Sequence, residues 1–554
     1  MFDRGTDDEL PGIVSKIRNR KRRVEKKEAL PGSATTGDEE IAAVKTGSVG
    51  TEEHREAGPA HVGREFWKLL HIGEILGGVG LSERAVKLTC AMTLNRLIHP
   101  SSEHAMPGWI RRAAIGDITG EDFSGLSEDS LHRNLDRLHP RRAKIESALA
   151  ERERSLFNLD DSILLYDLTS TCFEGAAELN QKAARGYSRD SRPDCKQVII
   201  GLAIGQEGFP VAHEVFKGNL KDSDSLGDML GAMEKRTGPL EGRTLVIDRG
   251  MAFEKNLNQV KSRKMHYLVA ARQSERNQRL DEFEELDMFE DVIRESSPQN
   301  PSRKKSEVSV RMLKTETECH ILCISGGRAE KDRAIREKQE RRMLCDIRKL
   351  EARISKGLLI EPVKIGEAIG RLKERYPRVS RYYPMSHDAD SRTLAWRLDG
   401  KKHELAIRMD GAYMLRTDRM DMTADEAWRT YTMLTRAENA FRSMKSPLSE
   451  RPIFHHLEHR VEAHIFLCVL AYHMLTAVEL TLRRNGLHTS WATVRDTLSS
   501  HQICTVVLPA ENGDILRIRR ASKPEKEHLE IYRLLGINRE IITPIRTWSR
   551  TNRG

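Results

Sequence analysis

Five apolar, β-branched runs crowd the stretch from residue 162 to residue 272, and they constrain this chain more than any other feature. They read SILLYDLTST (162–171), KQVIIGLAIG (196–205), PVAHEVFKGN (210–219), RTLVIDRG (243–250) and MHYLVAAR (265–272), each closed by turn residues. SDSLGDMLGAMEKR, with helical spacing, separates the third from the fourth. Strands first in a meander and then separated by helices predict a mixed sheet of the α/β kind.

The flanks have a different character. Residues 1–62 carry PGSATTGDEE and TEEHREAGPA, with too few apolar groups to offset the entropy of ordering, and are expected to form a flexible tail. Within it, KIRNRKRRVEKK (16–27) holds eight basic side chains and one acid, a solvated arm or a DNA-clinging one. Residues 63–155 return to helical spacing, with Phe66, Leu69, Leu88, Met92, Leu131, Leu135 and Leu138 on apolar faces and Arg133, Arg137, Arg141 and Arg142 nearby. They predict a small, basic, all-α domain.

Residues 276–424 read as an insertion after the first sheet segment, 156–275. VSVRMLK, CHILCIS, TLAWRLDG and HELAIRMDGAYMLRTD are strand-like, so the insertion is expected to be β-rich. A charged helical stretch with Met343, Ile347, Leu350 and Ile354 and a second with Ile365, Ile369, Leu372 and Tyr376 predict a helical hairpin inside it. From 425 to 482 the chain is helical again, and VEAHIFLCVLAYHMLTAVELTLRR is apolar nearly all round, which suits a buried helix. Its uninterrupted apolar run is shorter than the roughly 20 residues a spanning helix needs, and no membrane segment is expected. Residues 483–554 mix short strands and helices without a motif.

Composition narrows the partners. The chain of 554 residues has 92 Lys plus Arg against 83 Asp plus Glu, a net charge of +9, which favours an anionic partner. Eight cysteines, none in a CxxC pair, give no disulfide framework, and the first 30 residues lack a secretory apolar run; a reduced, cytoplasmic setting is the expectation.

Three carboxylates carry the chemistry. Asp167 closes the run ILLYD and Asp248 closes LVID, so each is expected at the carboxyl end of a buried strand, where open α/β sheets bind ligands. Either alone is no more than a turn or cap residue. Glu438 lies in a helical run in which steps of seven name Tyr431, Glu438 and Lys445; seven residues fall about 20° short of two turns, so the three are expected along one stripe. Arg442, four residues past Glu438, joins that face.

A strand-end aspartate in YDLTST, another in VIDRG, a long insertion and a helix reading Tyr-x6-Glu-x6-Lys resemble the DDE transposases of bacterial insertion sequences. The likeness is to the group whose signature runs Tyr, two residues, Arg, three residues, Glu, six residues, Lys, with a β-rich insertion before the glutamate. LNRLIHPSSE, RAENAFRSMKSPLSERPIFHH and RVEAHIFLC add to it, from about Arg64 into the 540s. The resemblance implies a ribonuclease-H-like mixed sheet flanked by helices, with Asp167, Asp248 and Glu438 as catalytic carboxylates binding two Mg²⁺ or Mn²⁺ ions. It further implies that 63–155 binds DNA, and that Tyr431, Arg442 and Lys445 contact DNA. The partners would be double-stranded DNA, both element ends and target, and a second copy of the chain in a synaptic complex. The sequence departs from the signature at Leu434, which stands where the group has arginine, leaving Arg436 or Arg442 to supply that charge. The implied activity is hydrolysis at element ends followed by 3′-OH strand transfer; a nuclease that does not join ends, or a silent DNA-binding derivative, are the alternatives.

Other constellations are weaker. His455-His456-Leu457-Glu458-His459 fits the H-x-x-E-H zinc-peptidase pattern, which a chain with 20 histidines produces by chance. Surface or structural histidines are the simpler reading. Lys217-Gly218-Asn219 reads as a turn, Cys319 and Cys323 as packed strand residues, and Trp396 as a core residue rather than a base-stacking one. No phosphate-binding P-loop is present.

Overall fold

The computed structural model describes residues 43–550 except 297, 299–300, 303 and 389–392. The basic arm at 16–27, and the expected tail as far as residue 42, lie outside the described residues. The chain divides into two compact units. The smaller comprises, of the described residues, 43–52, Val506–Ile518 and 546–550; in it Arg517 Nε lies 3.0 Å from Glu52 Oε1 and Arg517 Nη1 is 2.9 Å from Ser549 Oγ. The larger, Glu53–Thr505 with Arg519–Ile545, holds everything described below except the first three residues of β1.

Order begins earlier than composition suggests. Strand β1 (Gly50–Glu56) and the helix Gly58–Leu69 both start inside the stretch expected to be a tail. Long-range pairing orders this apolar-poor segment: the Ala57 and Gly58 amides donate to the His501 carbonyl at 3.0 and 2.9 Å, and Pro59 sits in the first helical turn, where a missing N–H costs nothing.

The main sheet is built from β2 (Ile163–Cys172), β3 (Gln197–Gly205), β4 (Pro210–Lys217), β5 (Thr244–Ile247) and β6 (His266–Ala270). β4, β3 and β2 are antiparallel neighbours, and β5 and β6 continue parallel to β2. Alternation along the strands splits their side chains between two cores. Leu164, Tyr166, Leu168, Leu245, Ile247 and Tyr267 pack under the helices Leu226–Thr237 and Glu254–Lys261. Leu165, Val198, Ile200, Leu202, Val246 and Leu268 face the opposite side, where the buried helix Glu458–Arg484 lies.

That helix is long and apolar enough to cross a bilayer by composition, yet here its side chains are buried among other elements. Its polar groups are paired: Glu462 with Arg142 (2.8 Å) and His139 (3.0 Å), and His473 with Glu153 (2.7 Å). The helices expected to form a domain at 63–155 have no core of their own. Phe66, Leu94, Leu97, Leu131 and Leu149 belong to the same hydrophobic cluster as Ile465, Phe466 and Leu470.

The insertion likewise joins the main sheet. β7 (Glu290–Asp291), β8 (Val308–Lys314), β9 (Cys319–Ser325) and β12 (Ala412–Thr417) extend it in the order β4-β3-β2-β5-β6-β12-β9-β8-β7. The edge of β6 would otherwise expose a row of unpaired backbone groups, and β12 satisfies it with Leu415 opposite Ala270. The expected hairpin is formed by the helices Gly326–Ser355 and Pro362–Arg375, which bury Met343, Ile347, Leu350, Ile365, Ile369 and Leu372 together. A small pair, β10 (Met385–Asp388) with β11 (Thr393–Trp396), lies beside it, and Trp396 packs partly buried against that cluster. One expected strand is a helix: HELAIR falls in Gly400–Arg408, capped by the Asp399 side chain on the Lys402 amide (3.2 Å). Gly411, at φ 77°, then turns the chain into β12, where a Cβ would stand 2.5 Å from the Ser325 carbonyl oxygen.

Candidate active site

Strand register brings the two aspartates together. β2 and β5 run parallel, and their last paired residues are Tyr166 and Ile247. The next residue on each strand is Asp167 and Asp248. Both share the face of Leu165 and Val246, two residues back, and that face carries the Glu438 helix. Asp248 closes its strand as expected. Asp167 does not: β2 continues through Cys172, held by antiparallel pairing to β3, with Leu202 opposite Asp167.

The glutamate helix, Thr435–Lys445, buries Ala437, Ala440, Phe441 and Met444 against this face, leaving Glu438, Arg442 and Lys445 for the rim. The continuous stripe expected from Tyr431 is broken. One helix ends at Thr432 and the next begins at Thr435, with Met433 and Leu434 in a tighter turn whose amides donate three residues back, to Thr430 and Tyr431. Leu434 is buried in the core at that junction, so the position at which the signature has arginine holds no room for a hydrated cation. Tyr431 nevertheless reaches the site from the first helix, its hydroxyl donating to Asp248 Oδ1 at 3.4 Å.

A cleft of about 410 Å³ gathers these groups. Asp167, Asp248, Glu438, Arg442 and Lys445 line it, together with Arg189, Asp190, Asp222 and Arg451. Asp167 accepts the Leu168 amide at 2.8 Å. Burial pushes its carboxyl up to about 6, and the nearby Asp248 and Glu438 add to that, against the opposing pull of the Leu168 amide and Arg189. Burial, with Asp248 close by, also raises the Tyr431 phenol, which stays protonated and able to donate. Among the described residues neither Asp167, Asp248 nor Glu438 makes an ion pair. Three carboxylates facing one cleft, none of them tied up in such a pair, are an all-oxygen donor set suited to Mg²⁺ or Mn²⁺.

The four additional lining residues escaped the sequence reading. Arg189 and Asp190 come from the loop between β2 and β3, and Asp222 from the turn after β4; Arg189 Nη2 bonds Asp222 Oδ2 at 2.7 Å. Gly218 permits this crossing, because a Cβ there would run into the Gln197 carbonyl. The charged run Ser188-Arg189-Asp190-Ser191-Arg192 was the available signal.

The zinc-like motif does not assemble. His455 precedes the helix that starts at Glu458, and lies 3.3 Å from Glu103, whereas His459 bonds Asp136 at 3.0 Å. Glu103, His455 and His464 do cluster, with donor atoms within 4.8 Å of one another. Arg96 already occupies that cluster, 2.8 Å from Glu103 and 3.3 Å from His464 Nδ1. Burial alone would raise Glu103, yet Arg96 and His455 hold it well below the carboxylate range.

Residues 158–474 match the family model described as the transposase DDE domain, which is more than half of the chain. The chain belongs to the DDE-domain transposases, enzymes of DNA transposition that generally depend on divalent metal ions. No curated protein matches it. Among solved structures it is similar to the cryo-EM structure of the piggyBac transposase synaptic complex with hairpin DNA, at 7% identity and a TM-score of 0.35, over 76% of this chain and 70% of that one.

Proposed function

We propose that the chain is the transposase of a bacterial insertion sequence, cutting DNA at the element's ends and joining the freed 3′-OH ends to target DNA. The observation that carries this reading is the register that sets Asp167 beside Asp248 on the face where Glu438 stands. Three antiparallel strands followed by two parallel ones support a ribonuclease-H-like core.

In this reading Asp167, Asp248 and Glu438 hold two Mg²⁺ or Mn²⁺ ions. Such ions, when bound, activate an attacking oxygen and stabilise the leaving 3′ oxygen of a phosphodiester. The chain's own groups do the rest. Arg442, Lys445 and Arg451 border the acids and bind the phosphates of the strand to be cut, the arginines as forks and the lysine as a point charge. The Tyr431 hydroxyl orients Asp248 and can turn to a phosphate oxygen; such contacts fix register and carry no sequence information. Two element ends must meet, so a pair of chains is expected on DNA, with end recognition assigned to the basic helices of 63–155.

The test is incubation of the purified chain with DNA carrying both ends of its element, with Mg²⁺ and with a chelator. Joined products that require the metal support the reading. Cut but never joined DNA would make the chain a nuclease, and binding without cutting a silent derivative. Asp167→Asn, Asp248→Asn and Glu438→Gln are each expected to abolish cutting while binding to ends persists.

A further inference from the structure

A second cleft, of about 340 Å³, is lined by Arg249, the residue after Asp248. Arg249, Arg276, Arg328, Arg336, Arg378 and Arg381 line it, against only two acids, Asp332 and Asp410. The two clefts adjoin along the chain itself: Asp248 and Gly250 line the first, and Arg249 between them lines the second.

Most of this charge is not neutralised. Arg336 is paired with Asp410, and Arg328 and Arg378 share Asp332 at 3.8 and 3.9 Å. Arg249, Arg276 and Arg381 make no ion pair among the described residues. Arg276 donates to the Ala412 carbonyl (3.1 Å) and to Asn277, and Arg381 donates to the Tyr382 hydroxyl at 3.0 Å. Burial, and then the proximity of Arg328, Arg381 and Arg249, hold the Arg276 guanidinium below its ordinary range. Six guanidinium groups with only two carboxylates among them repel one another, and a bound anion relieves that repulsion. Arg328 also lies over the Tyr413 ring, 4.7 Å from its centre, and Arg381 over the ring of the buried Tyr382 at 5.1 Å, so the rings hold two of the guanidinium groups flat in the wall.

We propose that this arginine cleft binds the phosphodiester backbone of a single DNA strand on one side of the bond cut at Asp167, Asp248 and Glu438. The inference rests on the function proposed above for the acids. Its volume admits a short piece of one strand and not a duplex, and arginine forks held in place by rings are the side chains that grip backbone phosphates. The walls come from the turn after Asp248, the turn after β6, the first hairpin helix and the segment leading to Tyr382. The insertion would thereby grip DNA as it leaves the acids.

Binding of the full chain to a fluorescent single strand of about 16 nucleotides, followed by anisotropy in a chelator, tests this without any cleavage. Arg276→Gln with Arg381→Gln is expected to weaken binding roughly tenfold at low salt and to lower the slope of log affinity against log salt by about 1.4, the value for two phosphates. Arg276→Lys with Arg381→Lys should keep most of both. Arg341→Gln with Arg342→Gln, on the exposed side of the same hairpin helix, should change neither. Equal loss from the two Gln pairs, or no loss from the first in a chain that melts normally, would overturn the proposal. Binding of inorganic triphosphate that Arg276→Gln removes while strand affinity stands would assign the cleft to a free polyphosphate and overturn it too. Because nothing is cut, failure of the transposase reading leaves this result legible.

Discussion

Lys445 Nζ lies 2.7 Å from Asp190 Oδ1, so the cation seven residues beyond Glu438 is held by a carboxylate from a different part of the chain. Arg451 donates to the same oxygen, and the second oxygen of Asp190 is buried without a partner. Asp190 is nearly inaccessible, its side chain 3% exposed, and Lys445 only 10%. It therefore positions, from the wall of the same cleft, two of the cations that border the acids.

Replacing that anchor has two consequences. Asp190→Asn leaves the largely buried Lys445 and the partly exposed Arg451 without their counter-ion, which is expected to lower stability by about 3 kcal/mol in urea unfolding. Lys445 also loses the contact that fixes its rotamer, so cutting should fall even at temperatures where the variant is folded. Unchanged cutting in a folded Asp190→Asn chain would show that Lys445 needs no positioning.

Asp167 gives the fold a pH dependence. Its carboxyl is raised to about 6 in the folded chain against 3.8 ordinarily, so ionising it opposes folding. That penalty is full above pH 6 and fades as pH falls towards 3.8. Asp167→Asn is thus expected to stabilise the metal-free chain by roughly 3 kcal/mol at pH 8 and by about half of that at pH 5. Chemical denaturation at the two pH values in a chelator measures it. A gain that does not shrink on acidification would mean that Asp167 is not the buried, ionised group described here. If these acids hold the metal as proposed, the same titration is expected to weaken its binding below about pH 6.

How much of this was legible depends on the range of the interactions involved. Asp167 and Asp248 could be paired from sequence because each follows an apolar run whose strand is recognisable by itself, and register then aligns them. The junction at Met433 and Leu434 could not, because Thr432 to Thr435 contain neither proline nor glycine, and only burial of Leu434 in a distant core decides the break. β8 and β9 were recognisable as strands, but their joining the main sheet depends on the open edge of β6, a contact between remote segments. The arginines of the second cleft come from four separate stretches of chain, none of which carries a motif for it.

Leu434 leaves open which arginine serves the acids, and geometry now separates the two candidates. Arg442 lines the cleft with Glu438 and Lys445, whereas the charges acting on Arg436 are Glu207 and Arg483, neither of them a cleft residue. Arg442→Ala is expected to slow cutting roughly tenfold, a loss of about 1.4 kcal/mol in transition-state stabilisation. Arg436→Ala should stay within about twofold, since its side chain meets no group that the reaction uses. Initial rates on end-containing DNA decide the matter, and a larger loss at Arg436 would refute the orientation of the Thr435–Lys445 helix.

The N-terminal helices should fold only with the rest of the larger unit. Glu146, on the helix Arg142–Phe157, is buried and bonds both His213 of β4 and Arg236 of the helix Leu226–Thr237. His213 and Arg236 together hold its carboxyl low, at about 2, against burial that would raise it. Glu146→Gln removes the buried charge shared by His213 and Arg236 and leaves Arg236 with Glu214 (3.0 Å) as its remaining carboxylate, which is expected to cost about 3 kcal/mol in one cooperative transition of the intact chain. A fragment of residues 64–155 would expose Leu94, Leu97 and Leu131, which pack into a core completed by the Glu458–Arg484 helix. Helices of 16 residues or fewer, such as Glu83–Ile98 and Arg142–Phe157, are marginal without such packing. The fragment should therefore show weak helical circular dichroism and no sharp melting, and end-DNA binding, falling with salt, should be found only in the full chain. A fragment that melted cooperatively and bound end DNA would show these helices to be the autonomous domain that their sequence suggested.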